Sequence, residues 1–234
     1  MILKEEIQAI ASEKKLGIDI VEKDYVLGWI LAGIHYHQST KNSWVFKGGT
    51  CLKKCYFETY RFSEDLDFTY QGEQHELTEP FYKKIFTEIA EWVHENSGIE
   101  LPEKGIEFEI FKNKRNSNSV QGKLSYHGPI QRNLNVTRLP RLKIDITLDE
   151  PVILEPIIKK ISHPYSDKLK DGKKILAYSY EEIFAEKLRA LIQRLRPRDL
   201  YDVIHLFQQK NPEVDPYLLK NTLKKKCERE LICN

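Results

Sequence analysis

Apolar residues recur at helical spacing in the first part of the chain. Because side chains three or four positions apart lie on one face of a helix, the pattern predicts two helices within residues 3–37, separated near Gly17. The second is too apolar to lie in a DNA groove, which favours a helical pair packed on a sheet over a helix-turn-helix. Residues 81–94 carry a further amphipathic stripe. The stripe residues are Ile7, Ile10, Ala11; Tyr25, Ile30, Leu31; and Phe81, Ile85, Ile89, Trp92.

Alternation of apolar and polar residues predicts strands at residues 106–111 and 142–148, with a further strand around residues 124–126. From Leu142 to Leu148 the even-numbered residues are apolar, so Lys143, Asp145 and Thr147 face the opposite side. The polar stretch 113–122, NKRNSNSVQG, predicts a turn or hairpin loop.

The last third of the chain returns to helical patterning. Residues 151–172 contain three prolines and predict an irregular connection. Ser179 and Glu182 form a capping box that begins a helix, and a second helix follows Pro197. The basic tail, residues 212–234, predicts another helix. We therefore expect an α/β protein with a small mixed sheet flanked by helices, divided into a core of residues 1–160 and a helical C-terminal region of residues 161–234.

Composition narrows the class without choosing a function. The chain has 234 residues, 41% hydrophobic and 31% charged, which is typical of a globular protein. A net charge of +2 neither favours nor excludes nucleic acid, so a site for it must come from local clustering. The longest apolar run, residues 25–34, is too short to span a bilayer, and the N-terminus lacks the apolar core of a signal peptide. These observations predict no membrane association and a cytoplasmic location.

Residues 44–68 carry the candidate chemistry. A short apolar run leads into Gly48-Gly49-Thr50, a short helix is expected next, and the stretch closes on Asp65 and Asp67. If Asp65 and Asp67 lie on a strand, they share one face and offer the oxygen ligands that Mg²⁺ prefers. Two glycines before a helix let the backbone approach an anion such as a phosphate. Taken singly, each motif also fits an ordinary turn or an acidic surface strand.

Together these motifs resemble the opening signature of the DNA polymerase β nucleotidyltransferase superfamily. The string KGGTCLKKCYFETYRFSEDLDF resembles one branch of it, the AbiEii/AbiGii-type nucleotidyltransferase toxins. Fifteen residues separate Gly49 from Asp65, which is long for the superfamily at large, but the ending RFSEDLDF resembles the toxin branch. Downstream, AEKLRALIQRLRPRDLYD resembles that family's lysine followed by Arg-Asp-x-x-Asp, and Glu22-Lys23-Asp24-Tyr25 resembles an upstream segment to which we assign no chemistry.

The resemblance implies a polymerase β-type fold and transfer of a nucleotide from an NTP to an acceptor hydroxyl. It implies that a two-metal Mg²⁺ site is held by Asp65, Asp67 and Asp145, the last as a third carboxylate on a neighbouring strand. It implies an RNA acceptor, with the 3′ end of tRNA as the leading case, and a separate antitoxin protein encoded alongside. The residues implied to bind the nucleotide are Gly48, Gly49, Thr50, Ser63, Lys187, Asp199 and Asp202, with Lys187 also catalytic.

Each of these residues also has a structural interpretation. Asp145 fits a solvated strand face, Lys187 fits a lysine that reaches from the edge of an apolar stripe to water, and Asp199 fits a helix cap. Nine basic residues between positions 104 and 143 fit either a solvated surface or a rim for nucleic-acid phosphates, where Tyr126 and His127 would stack on bases. The alternatives to a transferase are a non-catalytic RNA- or nucleotide-binding module of the same fold and a metal-dependent phosphohydrolase.

Overall fold

A computed structural model describes residues 1–58, 61–72, 78–113, 116–130, 135–209 and 214–228. Contacts divide the chain into two compact units, Met1–Glu150 with Ile158–Leu176, and Pro151–Ile157 with Ala177–Asn234. The predicted division into residues 1–160 and 161–234 stays a prediction about folding domains. No helix within the described residues is both long enough and apolar enough to cross a membrane.

A seven-stranded mixed sheet forms the centre of the fold, in the order β3-β4-β5-β2-β1-β7-β6. The strands are β1 Trp44–Lys47, β2 Asp65–Tyr70, β3 Ile106–Lys112, β4 Asn118–Ser125, β5 Arg141–Thr147, β6 Ile157–Lys160 and β7 Lys174–Ala177. Strand β2 runs antiparallel to β1 and parallel to β5, while β4 is antiparallel to both β3 and β5. The predicted mixed α/β architecture is confirmed.

Helices of the first unit pack against this sheet and against one another. They are α1 Lys4–Lys14, α2 Ile18–Tyr36, α3 Gly48–Cys51, which continues as a π-helical turn Leu52–Tyr56, and α4 Glu79–Ser97. Every residue of α2 from Tyr25 to Ile34 is buried. Helix α4 comes so close that a Cβ on Gly33 would lie 2.9 Å from the Ile89 side chain. The long apolar run of the sequence is thus the middle of a buried core helix.

Aromatic side chains fill the space between α4 and the sheet. Trp44 of β1 contacts both Phe68 of β2 and Phe86 of α4, with ring centroids 5.5 and 5.6 Å apart. Phe86 in turn lies against Phe108 of β3 at 4.8 Å. This apolar layer occupies the face formed by the even-numbered residues of β2 and β5, which leaves the odd-numbered polar residues on the opposite face.

Two sequence predictions about loops are wrong. The predicted loop 113–122 is shorter, because β4 begins at Asn118 and pairs with strands on both sides. Gly122, a residue typical of turns, lies within β4. The position favours glycine because a Cβ there would come within 2.4 Å of the Phe108 ring. The predicted irregular connection 151–172 contains β6, whose residues are mostly exposed and carry no alternating pattern.

The second unit is helical, as predicted. It contains α5 Tyr180–Arg194, α6 Pro197–Gln208 and α7 Pro216–Glu228. The Ser179 hydroxyl accepts the Glu182 N–H and caps α5, at 3.3 Å. The Glu182 carboxylate instead accepts the N–H groups of Ile153 and Leu154 and pairs with Lys226 at 2.7 Å. Lys226, assigned from the sequence to a basic tail, is therefore buried and holds α7 in place.

Candidate active site

Strand pairing brings the three predicted carboxylates onto one face of the sheet. Asp67 of β2 is paired with Asp145 of β5, and Asp65 is paired with Lys143 of the same strand. Directly paired residues on neighbouring strands point to the same side, and residues two apart on one strand do the same. On the other side of β2, Lys47 of β1 is paired with Asp67.

The carboxylates differ in their surroundings. Asp65 is exposed, whereas Asp67 and Asp145 are half-buried. The Asp145 carboxylate accepts hydrogen bonds from Gln121 Nε2 at 2.9 Å and from Lys143 Nζ at 2.7 Å. This hydrogen bond to Asp145, together with the negative charges of Asp145, Asp65 and Asp67, raises the pKa of the Lys143 ammonium.

Gly48 lies directly against Asp67, and Gly49 lies against Ser63 and Arg61. Gly48 has a φ of +79°, in the region that favours glycine, and a Cβ there would lie 2.3 Å from Asp67 Oδ2. A Cβ on Gly49 would lie 3.0 Å from Ser63 Oγ and 3.3 Å from Arg61 Nη2. The structure therefore brings together the Gly-Gly turn, Ser63 and Asp67. It also places the guanidinium of Arg61, a residue with no predicted role, at the same turn.

Thr50 ties this turn to β2. Its buried hydroxyl donates a hydrogen bond to the backbone carbonyl of Asp65 at 2.5 Å. The hydroxyl thus holds the start of the acidic strand beside the turn that follows β1. This is a structural task for Thr50, in addition to the nucleotide contact predicted from the sequence.

The segment Glu22-Lys23-Asp24-Tyr25, which had no assigned chemistry, forms ion pairs with residues next to the site. Lys23 pairs with Glu64, next to Asp65, at 2.5 Å, and Asp24 pairs with Lys54 of the π-helical turn at 2.7 Å. Burial opposes ionisation of Asp24, but the charge of Lys54 and hydrogen bonds from Lys54 and Tyr165 outweigh it, so the pKa of Asp24 is lowered. Helix α2 thereby anchors two segments that follow the Gly-Gly turn, one of them immediately before Asp65.

Lys47 is a second residue that the sequence analysis missed. It is buried, pairs with Glu150, and places its ammonium 3.4 Å from the Thr147 hydroxyl. A lysine that ends the apolar run Trp44-Val45-Phe46 was a visible signal, because a buried ammonium requires an anionic partner. The partner itself lies 103 positions away and cannot be identified from local spacing.

The downstream candidates Lys187, Asp199 and Asp202 lie in the second unit, and each has an ionic partner there. Lys187 Nζ lies 2.9 Å from Asp202, whose side chain is fully buried. Arg194 donates to both oxygens of the buried Asp199, at 2.7 and 2.8 Å. The Lys187 ammonium is therefore held by a carboxylate rather than extended into water, and Asp199 lies in the first turn of α6 rather than at its cap, which is residue Arg196.

The residue types on the sheet face fit a hard divalent cation, since Asp65, Asp67 and Asp145 all offer carboxylate oxygens. Their side chains are not gathered around a common point. Within the described part of the chain, no group of three or more His, Cys, Asp or Glu side chains is arranged to hold a metal ion. The strand register supplies the ligands, while the side chain of Asp145 is engaged by Lys143 and Gln121.

Comparison with known proteins bears on the family and on the fold. Residues 29–233 match the family model described as nucleotidyl transferase AbiEii toxin, type IV TA system. Among solved structures, the fold is similar to MenT4, a nucleotidyltransferase toxin from Mycobacterium tuberculosis H37Rv, with a TM-score of 0.60 and 20% sequence identity over 95% of this chain and 69% of that chain. A search of curated proteins found no match.

Proposed function

The chain belongs to the AbiEii family of nucleotidyltransferase toxins, and from this premise we propose that it is a Mg²⁺-dependent enzyme that transfers a nucleotide to RNA, with the 3′ end of tRNA as acceptor. Family membership supplies the enzyme class, an NTP as substrate and an antitoxin as partner. The metal, the acceptor and the roles of individual residues belong to the proposal.

One observation carries the proposal: the register that pairs Asp67 with Asp145 beside Gly48. Three carboxylates on one sheet face supply metal ligands, and the glycine turn lets a triphosphate approach the same face. A phosphohydrolase also uses clustered carboxylates, but a Gly-Gly turn in contact with one of them favours a bound NTP.

Asp65 and Asp67 are proposed to hold both metal ions, and Asp145 the one nearer the acceptor. When bound, the metal ions would stabilise charge on the attacking and leaving oxygens. Asp145 would accept the proton of the attacking hydroxyl, for which its half-buried position beside Gln121 keeps the carboxylate oriented. Gly48, Gly49 and Ser63 would line the path of the triphosphate, and Thr50 would hold Asp65 in place.

Lys187, Asp199 and Asp202 are proposed to contribute to nucleotide binding through their shared motif. An ammonium has three donors, so the pair with Asp202 orients Lys187 and still leaves donors for phosphate oxygens. Asp199 would act indirectly, because both of its oxygens are taken by Arg194 at the junction of α5 and α6.

Basic residues of the first unit are proposed to bind the acceptor RNA through its phosphates. Lys143 is engaged with Asp145, and Arg141 lies 3.7 Å from Glu107. Tyr126 is only 1% exposed, so the predicted stacking of this ring on a base is wrong. Nine basic residues lie between positions 104 and 143. The structure describes six of them, Lys104, Lys112, Lys123, Arg138, Arg141 and Lys143, whereas Lys114, Arg115 and Arg132 lie outside the described residues.

The test is to incubate the protein with each labelled NTP, Mg²⁺ and total RNA, and to resolve the products by size. Label in the tRNA fraction that disappears with a chelator supports the proposal. Label in another RNA changes the acceptor, and label in protein removes RNA from the proposal. Binding of NTP without product would instead favour the non-catalytic module.

A further inference from the structure

The strongest unassigned feature of the proposed site is a positive charge among its carboxylates. Lys143 lies two residues before Asp145 on β5 and opposite Asp65 on β2, so its side chain shares the face of the three carboxylates. Its ammonium donates to Asp145 Oδ2 at 2.7 Å. The candidate site residues predicted from the sequence do not include Lys143.

This contact affects the carboxylate that a metal would need. Asp145 has two oxygens, of which Oδ1 accepts from Gln121 and Oδ2 from Lys143. A cation that binds Oδ2 of Asp145 therefore competes with the Lys143 ammonium for that oxygen. A glutamine amide can remain on one oxygen and orient the group, whereas a second cation close to the ammonium is repelled.

Resting on the proposed function, we propose that Lys143 holds the place of the catalytic cation at Asp145 and must be displaced before Asp145 joins the metal site. Lys143 is then a positioning residue, not a catalytic one. It keeps an acidic face neutralised while the site is empty and lowers the affinity for a free divalent ion.

The size of the effect is bounded by exposure. The side chains of Lys143 and Asp145 are 43% and 32% exposed, so water screens their attraction. Competition from such a pair changes metal affinity by roughly three- to tenfold rather than by orders of magnitude. A triphosphate offers the displaced ammonium a new anionic partner, so Lys143 favours entry of the metal together with the NTP over entry of the metal alone.

The matched control is Lys123, which lies opposite Lys143 on β4 and is exposed. Its removal deletes one positive charge from the same sheet face without deleting the contact to Asp145. Comparing Lys143→Met with Lys123→Met therefore separates the specific pair from a general change in electrostatic potential.

The experiment measures Mn²⁺ binding to the full chain by the electron paramagnetic resonance signal of free Mn²⁺, with and without a non-hydrolysable NTP analogue. Without the analogue, Lys143→Met should bind Mn²⁺ roughly three- to tenfold more tightly than wild type, and Lys123→Met should stay within about twofold. The analogue should tighten Mn²⁺ binding more in wild type than in Lys143→Met. Lys143→Gln serves as a second variant in case the methionine disturbs the fold.

Two different failures can be told apart. If Lys143→Met and Lys143→Gln bind Mn²⁺ no more tightly than Lys123→Met, the inference about Lys143 is overturned while the metal site stands. If Asp67→Asn leaves Mn²⁺ binding at its wild-type strength, the metal assignment in the proposed function is wrong, and the inference is overturned with it.

Discussion

The carboxylates of the sheet face and those of α6 carry out opposite physical tasks. Asp65, Asp67 and Asp145 lie at an exposed or half-buried face, whereas the side chains of Asp199 and Asp202 are at most 1% exposed. In α6 each carboxylate has a basic partner within its own helical unit. The comparison teaches that an exposed carboxylate can meet a ligand directly, whereas a buried one acts through the basic side chain that it holds.

Burial also determines what is lost when a carboxylate is removed. An ion pair without solvent leaves an uncompensated charge behind when one partner is deleted, which is strongly destabilising. A carboxylate on an open face costs less to remove, because water screens its interactions. The two regions should therefore separate stability from activity when they are mutated.

The largest expected effect is on the open face. Asp65→Ala or Asp67→Ala should reduce nucleotide transfer roughly a thousandfold or more, since each removes a metal-holding group. The melting temperature should stay close to that of wild type, because water screens the interactions of these carboxylates. Transfer to RNA and thermal unfolding are measured on the same preparations, and near-normal transfer by either variant would remove that residue from the site.

The corresponding change in α6 should chiefly lower stability. Asp202→Ala should lower the free energy of unfolding by about 3–5 kcal/mol, because Lys187 is left buried without its anion. Denaturant unfolding checks this value. The control is the double variant Asp202→Ala with Lys187→Met, which removes both charges and should recover part of the loss. An unchanged midpoint in the single variant would contradict the structural role of the pair.

A smaller effect is expected where the glycine turn meets the acidic face. Gly48→Ala introduces a Cβ at a φ of +79° and within 2.3 Å of Asp67 Oδ2. The backbone strain costs about 1–2 kcal/mol, and displacement of Asp67 should reduce transfer by roughly ten- to a hundredfold.

Gly172→Ala is the matched control for that variant. Its φ is +72°, but nothing lies within 4 Å of the added Cβ. It should show a similar loss of stability with normal transfer. Equal transfer by the two glycine variants would show that the contact between Gly48 and Asp67 has no part in the reaction.

The smallest expected effect is at Thr50. Thr50→Val keeps the side-chain shape but removes the hydrogen bond to the Asp65 carbonyl, at a cost of about 1 kcal/mol. Transfer should fall by only a few-fold, because Asp65 keeps its place in the β2 ladder. Thr87→Val, at a half-buried position of α4 where the hydroxyl donates to the Lys83 carbonyl, is the control and should change neither stability nor transfer. A silent Thr50→Val would mean that this hydrogen bond does not position Asp65.

Local patterns predicted the elements but not their partners. The alternation of Leu142–Leu148 predicted β5 and placed Asp145 on its polar face, and Asp-x-Asp placed Asp65 and Asp67 together. The parallel register that pairs Asp67 with Asp145 spans 78 positions, since 145 − 67 = 78, and no local spacing specifies it. Gly122 lies in β4 and not in the predicted turn. The side chain that favours glycine there, Phe108, lies on another strand and is not visible in the local pattern.

Buried charges were the other limit of the sequence. Helical spacing placed Lys187 at the edge of an apolar stripe, but it could not show that α6 carries the buried partner Asp202. In the same way, the sequence does not show that Asp24 pairs with Lys54, which lies thirty positions further along the chain. Long-range ion pairs follow from packing, which periodicity does not encode.

The most direct measurement follows the two ends of the NTP separately. Wild-type protein and Asp67→Asn are incubated with RNA, Mg²⁺ and NTP labelled at either the α- or the γ-phosphate. With wild type, the α-label should enter RNA and the γ-label should leave as pyrophosphate, and neither product should form with Asp67→Asn. Transfer of the γ-label to RNA, its release as orthophosphate, or equal α-label incorporation by Asp67→Asn would contradict nucleotide transfer at this carboxylate face.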